Sequence, residues 1–394
     1  MSNIKFSLAT NFSEDLVNGL RAFSDVYELY GRMKDDVFCG GRPNNVSQNI
    51  EQEIFEQHVK QVRKLGINFN YLFNGACLYN KEQDPVWQKK MLSFLDYLTS
   101  VGVNAVTLSN PLVLQLIKKH FPHIICRIST FCCVDTPDKA YRWEDLGADI
   151  ICLDFVKVNR RFDILKQIQR NLKTSKIELL ATNSCIKDCP FIHTHVNNIA
   201  HASDMSCSNG PKYIDWCLHK CQLMELENPV EYIRSPWIRP EDLHYYEQIG
   251  VEHIKLTERG FPTEILLKRL TAYHNRIYDG NLLDLIQAHG YVLKDQNEKK
   301  SLKKKKDFNN ITEIINEIAK IRGFNQSRQY PSHVFIDNKK FKDFLSFFVK
   351  GGCKNDCQHC SYCKKIAKET IVQNKEISNY LIDLYKQYED KLVN

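Results

Sequence analysis

Short runs of β-branched and aromatic residues alternate with longer amphipathic stretches along most of the chain. Segments such as Asp84 to Gly102 and Pro111 to His120 have the apolar period of helices, and several end in glycine just before the next apolar run. Alternation of this kind indicates parallel βα units. The runs that predict strands are Ile4 to Thr10, Val26 to Arg32, Ile67 to Asn74, Ala105 to Asn110, His123 to Thr130, Ala148 to Phe155, Lys176 to Ser184 and Glu252 to Glu258.

Eight such units predict an α/β fold, a (β/α)8 TIM-like barrel. A doubly wound open sheet is the alternative, but no glycine-rich phosphate turn follows the first predicted strand. Residues 185–243 interrupt the alternation before the last strand, and we interpret them as a cysteine-rich insertion. We therefore assign residues 1–290 to the barrel, 291–306 to a basic linker and 307–394 to a small C-terminal cysteine-rich α unit.

The positive charge of the chain is concentrated in one place. The formal net charge is +7, and six lysines lie in the run KKSLKKKK from Lys299 to Lys306, so the remainder is nearly neutral. This excludes the whole-surface basic field of a protein that coats nucleic acid, and the run predicts an exposed linker. A small molecule or peptide is the favoured substrate, and a nucleic acid is less favoured.

Targeting signals are absent from the sequence given. The N-terminal segment lacks the basic and apolar regions of a signal peptide, and no apolar stretch is long enough to span a membrane. We expect a soluble, cytoplasmic protein with no membrane partner.

Cysteine gives the strongest chemical signal. The chain has 15 cysteines, an odd number, which in a cytoplasmic protein argues against a disulfide framework and favours thiolates as metal ligands. The insertion carries two Cys-x-x-x-Cys pairs, Cys185 with Cys189 and Cys217 with Cys221, a spacing that places both thiols on one face of a helical turn. Four thiolates suffice for a 4Fe-4S cluster or a structural zinc ion, and the alternative is a set of buried free thiols.

The choice of these four ligands stays open, because two further cysteines compete with them. Cys207 lies between the pairs, and Cys39 follows the second predicted strand, where a barrel would place it on the catalytic face. Either could replace one of the four. The other cysteines on or near strands are expected to pack as small apolar side chains: Cys77, Cys126, Cys132, Cys133 and Cys152.

A second group of cysteines lies near the C-terminus. Its density predicts a second iron-sulfur cluster or a zinc site. Its first three members have the spacing of radical S-adenosylmethionine enzymes, but in those enzymes the motif follows the first barrel strand, whereas here it follows the whole barrel. We interpret it as an accessory site, structural or electron-relaying. The four residues are Cys353, Cys357, Cys360 and Cys363.

Charged residues near the predicted strand ends are candidate catalytic residues. A charge at such a position points into the barrel mouth, where burial is expensive unless the charge is paired or used. Asp154, Lys255 and Arg259 are in this class, as are Glu28 and Arg127. Lys255 and Arg259 would clamp a carboxylate or phosphate, or alternatively pair with Asp154 or Glu28.

Histidines follow the first cysteine pair. His193 and His195, which we take as candidate catalytic residues, would share one face of a strand, whereas Asn197 and His201 would share one face of a helix. Imidazole beside a cluster can donate a proton, bind substrate or act as a ligand. The alternative is a set of surface histidines.

Two blocks of the sequence resemble peptidase family U-32, the collagenase-like peptidases. The first is ELLATNSCIKDCPFIHTHVNNIAH, and the second, SPWIRPEDLHYYEQIGVEHIKLTERG, matches the motif of the family's last barrel strand. In organisation the resemblance covers residues 1–280. The matching positions of the second block are Pro240, Asp242, Leu243, Gly250, Val251, Lys255 and Arg259.

This resemblance implies a barrel with a 4Fe-4S cluster held by four cysteines. The family includes oxygen-independent hydroxylation proteins that act on ubiquinone precursors, transfer RNA and ribosomal RNA, as well as members labelled peptidases. The present sequence departs from the family in two ways: the first cysteine pair is more closely spaced, and Glu258 replaces the glycine before Arg259. These departures concern the substrate and the reaction, and leave the fold unaffected.

The residues support three functional hypotheses. The first is an iron-sulfur-dependent enzyme that performs an oxygen-independent redox modification, of the hydroxylation type, on a small molecule or peptide. The second is a peptidase or peptide-processing hydrolase, although neither His-Glu-x-x-His nor Gly-x-Ser-x-Gly is present. The third is a non-catalytic maturation or electron-transfer partner of another protein, including a homologous one.

Overall fold

Eight parallel strands close into a barrel in sequence order, with the last strand paired to the first. The computed structural model describes residues 3–34, 36, 38–44, 47–204, 214–258, 260–286, 289–291, 308–323 and 327–393. The strands are β1 (Lys5–Ala9), β2 (Val26–Gly31), β3 (Asn68–Phe73), β4 (Ala105–Leu108), β5 (Ile125–Ile128), β6 (Ile150–Cys152), β7 (Lys176–Leu180) and β8 (His253–Leu256). Each lies within a predicted run, so the predicted barrel is confirmed.

Amphipathic helices connect the strands. They are α1 (Glu14–Leu20), α2 (Gln52–Lys64), α3 (Pro85–Val101), α4 (Pro111–His120), α5 (Pro137–Asp145), α6 (Phe155–Val158) and α7 (Phe162–Asn171). Local sequence sets their ends: Asn110 caps α4 by accepting hydrogen bonds from the Leu112 and Val113 amides. Gly102 ends α3 at φ 116°, a conformation that glycine adopts without a Cβ clash. Their apolar faces pack on the outside of the strands in one continuous core.

The insertion between β7 and β8 is helical. It contains α8 (Ile192–Ala202), α9 (Trp216–Glu227) and α10 (Val230–Arg234), and is followed by α11 (Leu243–Glu247). Past the end of α8, Asp204 pairs with Lys81, with an Nζ–Oδ2 distance of 2.6 Å. His201 stacks on Tyr79, with ring centroids 4.5 Å apart. Because Tyr79 and Lys81 follow β3, the insertion reaches across the C-terminal face of the barrel and covers part of it.

The C-terminal region packs on the insertion. After α12 (Thr263–His274), it contains α13 (Ile311–Arg322), α14 (Ser346–Val349), α15 (Tyr362–Thr370) and α16 (Lys375–Val393). It also contains a small antiparallel sheet of β9 (Val334–Ile336) and β10 (Ile371–Gln373), so the expectation of a purely helical unit was incomplete. α16 contacts α9, and α15 contacts α10.

The predicted domain boundaries remain a prediction. Apart from Tyr291, the proposed basic linker, residues 291–306, lies outside the described residues. None of the helices in the described part of the chain is both long enough and apolar enough to cross a membrane.

Candidate functional site

The barrel interior contains buried ionic groups where branched apolar residues are usual. Arg127 forms an ion pair with Glu28, and its Nε lies 3.5 Å from Glu178 Oε2; all three side chains are fully buried. Asn70 donates a 2.9 Å hydrogen bond to Glu28, and Ser7 donates a 3.0 Å bond to Glu178. Burial alone would raise the pKa of Glu178, but Arg127 holds it below its ordinary value. Glu28 and Arg127, predicted near the mouth, thus form an ion pair with each other inside the barrel.

Lys255 lies on β8 in the upper part of the barrel. Its side chain is largely buried, and its Nζ lies 4.2 Å from the centroid of the Tyr30 ring. After Arg127, its charge helps to lower the pKa of Glu178, and it only partly opposes burial, which raises the pKa of Cys152 well above its ordinary value. Lys255 forms no ion pair with a described carboxylate. No ion pair therefore joins Lys255 to Asp154 or Glu28 in the described structure, where Glu28 pairs with Arg127. Arg259 lies outside the described residues.

Asp154 follows β6 and caps α6. Its carboxylate accepts hydrogen bonds from the amides of Val156, at 3.0 Å, and Lys157, at 3.3 Å. Burial raises the pKa of Asp154, and its charge contributes to the raised pKa of Cys185. The structure thus gives Asp154 a local structural role at the edge of the mouth; a catalytic role stays a prediction.

The histidines of the insertion lie on a helix, so the strand alternative is wrong. His193 is exposed and does not share a face with His195 on α8, whereas Asn197 and His201 are one turn apart, as expected for a helix. His195 Nε2 lies 3.1 Å from Asp215 Oδ1. Burial would raise the pKa of Asp215, but His195 keeps it below its ordinary value. This contact joins α8 to the start of α9.

The two predicted cysteine pairs of the insertion lie near enough to interact electrostatically. Cys185 and Cys189 lie in the loop after β7, and Cys217 and Cys221 lie one turn apart on α9. Burial raises the pKa of Cys221 well above its ordinary value, and the Cys185 and Cys189 sulfurs raise it further. Burial also raises the pKa of Cys217 to about 11, with a contribution from Cys189. The two pairs therefore share one electrostatic environment.

The described thiols are not arranged as a metal-ligand set. Over the part of the chain that the structure describes, no three cysteine, histidine or carboxylate side chains meet closely enough to bind one metal ion. Of the two alternative ligands, Cys39 donates a 3.6 Å hydrogen bond to Asp204, and Cys207 lies outside the described residues. The choice of ligands remains a prediction.

Glu225 is a candidate that the sequence analysis missed. It lies on α9 one turn after Cys221, and its Oε1 accepts a 2.8 Å hydrogen bond from Ser184 Oγ. Burial raises its pKa to about 7, and its charge contributes to the raised pKa values of Cys185 and Cys221. The helical spacing of residues 217, 221 and 225 was a signal that could have revealed it.

Glu258 marks a strained position at the end of β8. Its φ is 110°, in the region that favours glycine, and its side chain is buried 3.7 Å from Arg42 Nη2. The glycine of the related motif would adopt this conformation freely, whereas a residue with a Cβ pays about 1–3 kcal/mol of strain. Glu258 in place of glycine therefore adds backbone strain at this position as well as a negative charge.

The C-terminal cysteines lie beside the insertion. Arg234 Nη2 donates a 3.0 Å hydrogen bond to the carbonyl oxygen of Cys357, and the adjacent Ser235 Oγ accepts one from the Cys185 amide. Burial raises the pKa of Cys363 to about 11, and the thiol of Cys357 contributes. The two cysteine groups therefore lie on either side of residues 234–235.

Comparison with known proteins identifies similar sequences. Residues 22–183 match Peptidase family U32. The "Uncharacterized protease MJ1657" of Methanocaldococcus jannaschii is 26% identical over 324 residues, which span 80% of this chain and 82% of that relative. The solved structure of the U32 peptidase Mk0906 has 18% sequence identity and a TM-score of 0.48, covering 66% of this chain and 94% of its own.

Proposed function

We propose that this chain, whose residues 22–183 match Peptidase family U32, is an iron-sulfur-dependent enzyme. Its reaction would be an oxygen-independent redox modification, of the hydroxylation type, of a small molecule or peptide. The observation that carries this proposal is the approach of two cysteine pairs from the loop after β7 and from α9. They lie beside the barrel mouth, where enzymes of this fold assemble their sites.

The thiols fit a 4Fe-4S cluster by their chemistry. Cys185, Cys189, Cys217 and Cys221 would be its ligands, and burial raises the pKa of each thiol. Metal binding would release the thiol protons and would require the sulfurs to move closer together than they lie in this structure. When bound, the cluster would supply one-electron redox chemistry.

Lys255 is suited to binding the acidic group of a substrate. Its ammonium group touches the Tyr30 ring and has no ion pair with a described carboxylate. In a site of low dielectric constant, a carboxylate or phosphate would pair with it strongly. Glu225, held by Ser184 and with a pKa of about 7, can hold or release a proton near neutral pH. The roof formed by the insertion would restrict access of water.

Anaerobic purification followed by iron and sulfide analysis tests the proposal. The Cys221→Ser variant should lose about four iron atoms per chain relative to the unmodified protein. The matched control is Cys126→Ser, at a buried thiol on β5 away from the insertion, which should keep its iron. Equal iron contents in the two variants, or a colourless protein containing only zinc, would contradict the proposal.

A peptidase function is the second candidate, and the His195–Asp215 contact is the observation that favours it. An imidazole oriented by a carboxylate can act as a general base. No hydrogen bond joins a thiol to an imidazole among the described residues, so this candidate lacks an identified nucleophile. Peptide cleavage that survives replacement of all four insertion cysteines by serine, but not His195→Ala, would favour hydrolysis over redox chemistry.

A further inference from the structure

A buried cation lies beside the C-terminal cysteines without a carboxylate partner. Arg160 follows α6, and its Nη1 and Nη2 donate hydrogen bonds to the carbonyl oxygens of Ile233, at 2.6 Å, and Trp237, at 3.3 Å. The guanidinium carbon lies 4.4 Å from the Trp237 ring and 4.9 Å from the Phe344 ring. Its Nε is buried without a hydrogen-bond partner, and no described carboxylate forms an ion pair with it.

Burial of the Arg160 guanidinium costs free energy unless a negative charge lies nearby. A buried charge is normally paired, because removal from water costs several kcal/mol. The ionisable groups that interact with this guanidinium are Cys363, Tyr246, Asp242 and Cys353, and Asp242 is already paired with Arg239. The acidic groups that face this guanidinium therefore include cysteine thiols.

Other basic side chains surround the same cysteines. Arg234 binds the carbonyl oxygen of Cys357, and the charge of Lys187 interacts with the thiols of Cys353 and Cys357. Lys187 also pairs with Asp188, whereas Arg160 has no carboxylate of its own in the described structure. These positive charges would offset the negative charge that four metal-bound thiolates bring to the site.

We propose that Cys353, Cys357, Cys360 and Cys363 bind a metal centre as four thiolates, with the buried guanidinium of Arg160 as its counter-charge. Four thiolates around Zn²⁺ or an iron-sulfur cluster leave a net negative charge, which Arg160 is placed to balance. Binding would release the four thiol protons to solvent. The four sulfurs would have to converge on binding, since no three potential ligand side chains of the described residues lie close enough to hold one metal ion.

The centre would join three parts of the molecule. Arg160 belongs to the barrel, Arg234 ends α10 of the insertion, and Cys363 lies on α15 of the C-terminal region. This C-terminal metal centre does not depend on a cluster at the insertion cysteines. An experiment can therefore refute either proposal without refuting the other.

Metal analysis of a full-length variant that retains only this group provides the test. All four insertion cysteines are replaced by serine, and metal and sulfide are measured after anaerobic purification. About one zinc ion, or one iron-sulfur cluster, per folded chain is expected. Zinc without sulfide would identify a zinc site, and iron with sulfide would identify an iron-sulfur cluster. Adding Cys360→Ser should abolish this metal, whereas adding Cys126→Ser should leave it. A folded protein without metal, or one that keeps its metal after Cys360→Ser, would overturn the site.

If the multiple variant does not fold, the single Cys360→Ser variant in the otherwise unmodified chain gives the same comparison. It should lose the metal of one centre relative to Cys126→Ser. Equal metal contents would overturn the proposal.

The role of Arg160 is tested by metal affinity, measured by competition with a chelator. Arg160→Met should weaken binding roughly 10–100-fold, the usual effect of removing a group that supports metal ligands. Arg160→Lys should recover part of the loss, because it restores the charge. Arg161→Met, at an exposed neighbour paired with Asp163, is the control. Wild-type affinity in a folded Arg160→Met protein would exclude the counter-charge role.

Discussion

Arg127 shows how one residue can hold a charged barrel interior together. It is fully buried between Glu28 and Glu178, and the ordinary apolar filling of a barrel is absent at this level. Replacement of one partner in such a group leaves the others as uncompensated buried charges, which costs far more than the group contributes as a whole. The interior therefore tolerates loss of Arg127 poorly.

We expect Arg127→Met to lower the free energy of unfolding by about 3–5 kcal/mol, because two carboxylates would lose their cation. The measurement is urea denaturation at neutral pH. The control, Arg161→Met, removes an exposed ion pair with Asp163 and should cost at most about 1 kcal/mol. Similar losses in both variants would show that the buried group is not needed for stability.

His58 on α2 gives a pH-dependent contribution to stability. Its Nε2 lies 2.7 Å from Thr10 Oγ1, and burial lowers its pKa from 6.5 to about 4. Between pH 6.5 and about pH 4 the unfolded chain binds more protons than the folded chain. The free energy of unfolding therefore decreases as the pH falls through this range.

His58→Gln should reduce this acid-induced loss by on the order of 3 kcal/mol between pH 7 and pH 4, since glutamine does not titrate. Denaturant unfolding at several pH values measures the effect. His120→Gln, at an exposed histidine that ends α4, is the matched control. An unchanged slope in His58→Gln would contradict the prediction.

At the scale of the element, α6 depends on its cap. Asp154 satisfies two amides at the start of this short helix, directly after β6. A short helix has little stability of its own, so its position at the barrel mouth depends on the cap and on packing. The conservative variant of Asp154 therefore separates a structural role from a catalytic one.

Asp154→Ala should lower the free energy of unfolding by about 0.5–2 kcal/mol, because the two amides lose their acceptor. Asp154→Asn retains a side-chain oxygen and should be close to wild type in stability and in activity. Thermal denaturation and the assay for the redox reaction measure these effects. Strong loss of activity in a stable Asp154→Asn protein would instead indicate that the carboxylate takes part in the reaction.

At the scale of the whole molecule, the end of the chain supports the helix that carries two of the proposed ligands. Tyr385 on α16 donates a 2.6 Å hydrogen bond to Gln222 on α9, and Lys220 Nζ lies 2.7 Å from Glu389 Oε1. The buried face of α16 also packs against α13. The C-terminal region thereby fixes the insertion over the barrel.

Truncation after Asn374 should lower stability by several kcal/mol, because each large apolar side chain buried by α16 contributes about 1.5–3 kcal/mol. Hydrogen exchange in α9 should increase, since its partner is lost. Truncation after Lys391 removes only residues at the exposed end and should be tolerated. Unchanged exchange in α9 after the longer truncation would show that the insertion is held by the barrel alone.

The amino-acid sequence determined the barrel and the candidate ligands. Apolar runs and helical periods are local properties, so the strands and most helices followed from patterns such as Ala105 to Asn110 and Pro111 to His120. The spacing of the cysteine pairs is equally local. The family that two sequence blocks indicated is the same family whose model matches residues 22–183.

The tertiary structure decided which side chains meet. The pairing of Arg127 with Glu28 across 99 positions, and the approach of Glu225 to Cys185, depend on how the chain closes in space. Whether a charged residue after a strand is a cap, as Asp154 is, or lies inside the barrel, as Lys255 does, depends on neighbours far away in sequence. Burial and charge pairing arise only on folding, and no local pattern encodes them.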